Sequence, residues 1–88
     1  MNKEQHNSVI APENAEAALM LLIETMRLRS AEEGERGSAA TALGIAGGAA
    51  ALDGLTKFLR THDKAPPAVR IAATLAVGHL LANAHVSD

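Results

Sequence analysis

Eighty-eight residues with a formal charge of −2 and no cysteine describe one domain with a thin core, and exclude disulfides, thiol chemistry and cysteine-based zinc sites. The near-neutral balance gives no electrostatic footprint for nucleic acid or a membrane surface. Nineteen residues are alanine and Phe58 is the only aromatic, so each buried residue gains little beside the roughly 1.5–3 kcal/mol of a large aliphatic side chain.

Residues 1–11 read as a flexible arm. Their first eight lack the apolar segment of a secretory signal. Pro12 suits the first turn of a helix, where its missing N–H has no intrahelical partner, and Glu13 and Glu16 favour the positive end of the dipole. A first helix is therefore predicted over 12–33. Ala15, Leu19, Leu22 and Met26 form its apolar stripe, and Ala18 and Ile23 widen it. The stretch AEEGERGS reads as a helix end and a solvated connection, with Gly34 or Gly37 as the stop and Ser38 as the next N-cap.

A second helix is predicted over 38–61. From Ala39 to Leu52 it reads AATALGIAGGAAAL, with Thr41 its only polar side chain. A helix apolar on every side must be buried on every side. The run is too short to span a bilayer, which takes roughly 18–20 residues, so the expectation is a soluble, cytoplasmic protein. Ile45, Gly48, Leu52, Leu55 and Leu59 follow the rhythm of a packing seam. Gly44 and Gly48 share a face, and small residues at that spacing let two backbones approach closely. Alternatively, Gly47-Gly48 breaks this helix into two. A phosphate-binding loop is not supported there, because no Lys-Ser/Thr follows and no strand precedes.

THDKAPP ends the second helix, and its prolines open a third over 66–84. Val69, Ala72, Ala76 and Leu80 form one stripe; Ile71, Leu75, Gly78 and Ala82 form another on a different side. No stretch alternates as a strand does. The fold predicted is an all-α three-helix bundle in one domain over 12–88, or four helices if Gly47-Gly48 interrupts the second. Two of its helices are apolar on more than one side, which predicts a homodimer through Gly44, Ile45, Gly48, Leu52, Leu75, Gly78 and Leu81. Ala39, Ala40 and Ala51 also fit exposed positions, since alanine is a good helix former anywhere.

Chemistry is sparse. His79 and His85 are six residues apart, about 120° apart on a helix, and do not converge on a metal. His79 and Asn83 share a face and could hold a polar group of a ligand. Asp53 and Lys57 are spaced for an exposed ion pair. Lys57 and Arg60 at the end of one helix make no basic recognition face, so DNA binding is not expected. The expectation is a non-catalytic protein-interaction module of adaptor or inhibitor type, with no cofactor and no metal. Its partner is a larger protein, docked on Glu24, Arg27, Arg29, Glu32, Glu33, Glu35 and Arg36. The alternative is a carrier of a small apolar ligand in a cleft between the second and third helices.

Overall fold

A computed structural model describes residues 9–84. The predicted arm lies outside the described residues over 1–8, as do His6, His85 and the end of the 12–88 domain. The fold is all-helical, with α1 (Pro12–Arg27), α2 (Glu33–Ala46), α3 (Ala49–Thr61) and α4 (Pro67–Asn83). None of these helices is long and apolar enough to cross a membrane.

The first correction concerns α1, which ends at Arg27 where the spacing predicts helix to Glu33. Leu28 is already extended (φ −75°, ψ 112°). The freed carbonyl of Met26 accepts the Nε–H of Arg36 at 2.9 Å, so a later arginine closes the end of α1 at the negative pole of its dipole. The second correction follows. GERGS is not a connection but the beginning of α2, with Gly34, Gly37 and Ser38 inside the helix. Glu33 and Glu35 occupy its first turn, where the dipole favours carboxylates.

The predicted 38–61 helix is interrupted after Ala46, so the bundle has four helices, the alternative that Gly47-Gly48 offered, and not three. Gly47 (φ 75°, ψ −175°) and Gly48 (φ 94°, ψ 165°) occupy a backbone region that is essentially restricted to glycine. Their two positive φ values turn α3 away from α2. Gly48 thus acts at a turn, where a side chain would strain the single chain itself. The two proline positions behave as the sequence suggests, with α4 beginning at Pro67 behind Pro66. The α3 end is closed as α1 is: Arg70 donates to the carbonyls of Leu59 and His62, at 3.2 and 2.8 Å.

The core gathers Met26, Leu43, Leu55, Phe58 and Val69, all fully buried, with alanines filling between them. Ala39, Ala40 and Ala51 belong to this core and not to the surface. Small side chains are what let α2 lie close to α4. Gly37 faces Ala72, Gly44 faces Ala76 and Gly47 faces Leu80, so the two helices run in the same direction. A Cβ on Gly44 would stand 2.8 Å from the Ala76 Cβ and 3.0 Å from its Cα. The predicted close approach through Gly44 is therefore present within one chain. On α1 only the second half is anchored. Leu19, Leu22 and Ile23 are half-buried and Met26 is buried, whereas Ala15 and Ala18 are exposed.

Candidate interaction surfaces

Close packing of α2 on α4 creates a groove along one side of the seam. Its floor is Gly44, Ala72 and Ala76; its walls rise from Thr41 and Ile45 on one helix and Ile71, Leu75 and His79 on the other. The volume is about 450 Å³. Small residues make the floor low, and large apolar residues left outside make the walls high. Ile45 is 75% exposed, Leu75 68% and Ile71 59%. Beyond Ile45 and His79 a second hollow continues past the Gly47-Gly48 turn to Leu80 and Asn83.

The outward stripe of α4 is as predicted in register: Ile71, Leu75, Gly78 and Ala82 are all exposed, and a Cβ on Gly78 would meet nothing. From Ile71 to Asn83 the only ionisable side chain is His79. Leu81 is exposed but lies about 120° around the helix from Leu75, on the far flank of this stripe. Leu52 is half-buried and packs on the core. Of the seven residues predicted for a dimer face, Ile45, Gly48, Leu75, Gly78 and Leu81 are exposed in the single chain, Leu52 is half-buried, and Gly44 is occupied inside it.

His79 and Asn83 do meet. Asn83 Nδ2 donates to the His79 carbonyl at 2.8 Å and lies 3.4 Å from the imidazole Nε2, on an exposed helix end. The predicted Asp53–Lys57 pair forms at 3.2 Å and is exposed, a geometry worth a few tenths of a kcal/mol at most. Among the described residues no three His, Asp or Glu side chains cluster as metal ligands.

The charged surface divides in two. Glu24, Arg27, Arg29, Glu32, Glu33 and Glu35 are exposed, as a docking surface needs, but Arg36 is 4% exposed and turned inward. The arginines gather around His62 at the end of α3. His62 stacks on Phe58 with ring centroids 4.8 Å apart, and its Nδ1 lies 2.8 Å from the Thr61 hydroxyl. Burial, then the charges of Arg27, Arg36 and Arg29, hold the His62 imidazole below its ordinary pKa. Beside it a hollow of about 330 Å³ is lined by Arg29, Arg36, Thr61, His62, Asp63, Lys64, Ala65 and Pro66. Sequence reasoning misses this hollow, since Arg29 and Arg36, at the α1–α2 connection and in the first turn of α2, lie far along the chain from the residues 61–66 that complete it. No protein family, curated protein or solved structure matches this chain.

Proposed function

We propose that this protein is a non-catalytic protein-interaction module that works as a homodimer, pairing through the outward face of α4 and the adjoining wall of α2. One observation carries the reading: Ile45, Ile71 and Leu75 stand exposed in a continuous strip that holds no charged side chain. Exposed apolar strips of this kind mark contact surfaces. A second copy of the same strip complements it, because a two-fold contact sets the Leu75 ridge of each protomer against the small-residue floor of the other. A charged partner would gain nothing from this face.

The experiment is light scattering after size exclusion. At micromolar concentration the mass expected is about twice 9.1 kDa. Leu75→Glu should return it to a monomer with undiminished helicity, because burying the new carboxylate in the contact is costly. A native chain that runs as a monomer overturns the dimer.

On the same reading, the larger partner docks at the charged end, on Glu24, Arg27, Arg29, Glu32, Glu33 and Glu35. Reversing Glu32, Glu33 and Glu35 to Lys should abolish partner capture with the fold intact; unchanged capture removes this surface.

A second reading has an observation of its own. The α2–α4 groove is apolar along its length and offers polar groups only at Thr41 and His79, which suits a small apolar ligand with one polar end. Native mass spectrometry separates the two: a retained small molecule favours a carrier, and a clean dimer mass favours the module.

A further inference from the structure

The hollow beside His62 presents a problem of charge. Arg36 is 4% exposed, yet among the described residues its guanidinium makes one hydrogen bond, from Nε to the Met26 carbonyl. A guanidinium has five N–H donors, so four remain without an acceptor among the described residues. No carboxylate neutralises it either, since the only ion pair among the described residues is Lys57–Asp53. A buried cation gives up its water and calls for both an opposite charge and hydrogen-bond acceptors. Arg36 lines the hollow, and so do Arg29 and Lys64 from the α1–α2 and α3–α4 connections. Asp63 is the one acidic residue in the lining, set against three basic ones.

We propose that this hollow binds a small oxyanion of the phosphate class, with the Arg36 guanidinium as its buried anchor and Arg29 and Lys64 as outer contacts. The planar fork of arginine matches two oxygens of such an anion, and lysine adds a point charge at the mouth. Thr61 and His62 line the same space, the Thr61 hydroxyl donating to the Lys57 carbonyl at 2.7 Å. Burial first, and then the charges of Arg27, Arg36 and Arg29, hold the His62 ring below its ordinary pKa. The site is independent of the α4 face, so failure of the dimer leaves it standing.

The test titrates inorganic phosphate into the full chain at constant ionic strength, with chloride as the balancing anion, and follows the Arg36 side-chain Nε–H and the amides of 29, 36 and 61–65 by heteronuclear NMR. Saturable shifts confined to these groups are expected, together with a phosphate-dependent rise in Tm. The double variant Arg29→Ser, Lys64→Ser changes two exposed residues and should fold as the native chain does. It should weaken phosphate at least about tenfold, the loss of one or more charge-assisted contacts. Arg36→Lys should weaken it similarly by removing the fork; the double variant decides the matter whether or not that chain folds. Shifts that do not saturate, chloride acting as well as phosphate, or a double variant with native affinity each overturn the proposal.

Discussion

Two close approaches at glycine hold this bundle together, and they differ in what the glycine faces. At the α2–α4 seam a Cβ on Gly44 would meet the Ala76 Cβ at 2.8 Å, its Cα at 3.0 Å and its carbonyl oxygen at 3.4 Å. Backbone lies on both sides, and neither can move without moving a helix. At the α1–α3 seam a Cβ on Gly54 would meet Ile23 Cδ1 at 2.7 Å and Cγ1 at 2.9 Å. Here the opposing atoms are the end of a side chain, which a change of rotamer can withdraw. The same residue type therefore fixes a helix spacing in one place and provides a socket in the other. The rigid seam is also the one that builds the groove, because helices that approach this closely leave their larger residues standing on either side.

The largest effect expected from this contrast is at Gly44. Alanine gains about 1 kcal/mol of helix propensity over glycine, but overpacking a tight interior seam costs about 1–3 kcal/mol, and with only the Ala76 Cβ and backbone opposite Gly44 the cost falls at the upper end, about 2–3 kcal/mol. Gly44→Ala should therefore lower stability by about 1–2 kcal/mol, a fall in Tm on the order of 5–15 °C for a domain of this size. Ala76→Gly should restore only part of the loss, because the backbone of residue 76 would still stand 3.0 Å from the new methyl group. A neutral Gly44→Ala in thermal melts would show that the seam yields, and the contrast would fail.

Gly54→Ala comes next. The propensity gain of about 1 kcal/mol is opposed by displacing Ile23 from its rotamer, about 0.5–1.5 kcal/mol. The net change should lie near zero, at least about 1 kcal/mol milder than Gly44→Ala. Ile23→Val deletes Cδ1, the nearer of the two opposing atoms, and leaves a γ carbon at 2.9 Å, so the double variant should be more stable than the sum of the single changes by a coupling of about 0.5 kcal/mol. Strict additivity would mean that the two residues do not share the space.

How much of this is legible in the sequence depends on where the information sits. Pro12, Pro66 and Pro67 mark helix starts because proline acts locally, and Gly47-Gly48 marks a turn for the same reason. The second stripe of α4 is legible because helical spacing alone puts Ile71, Leu75, Gly78 and Ala82 on one side. The end of α1 is not legible. Nothing in MRLRS stops a helix, and the residue that satisfies its terminal carbonyl, Arg36, is ten positions from Met26. Gly34 and Gly37 mislead for a related reason: a glycine inside a helix costs about 1 kcal/mol, which packing can outweigh, and Gly37 lies against Ala72. Arg36 reads as one charge among many in AEEGERGS, and only the chain reversal shows that it is buried beside His62.

The smallest effect separates the two seams by pH. His62 sits at the α1–α3 side, faced by Glu24 and Arg27 of α1, Arg29 of the connection and Arg36 of α2, with Asp63 and Lys64 beside it and Arg70 of α4 on its carbonyl. Its pKa in the folded chain lies below the ordinary value of 6.5. As pH falls past 6.5, the unfolded chain takes up the proton before the folded one does, so stability drops. The contribution is complete above pH 6.5 and is lost as pH falls through the folded value. Thermal melts between pH 7.5 and 5.5 should show a shallow decline that His62→Gln flattens. Hydrogen exchange should accelerate first in the second half of α1, at the end of α3 and in the first turn of α2, and not around the Gly44–Ala76 contact, because burial disfavours the added imidazolium and it repels Arg27, Arg36 and Arg29, of which only Arg36 stands on α2, two turns before Gly44. Inorganic phosphate should oppose the decline, since an oxyanion in the hollow favours the charged ring. Equal acceleration at both seams would mean that they open as one unit, and the distinction between a rigid and a yielding seam would then be one of local packing only.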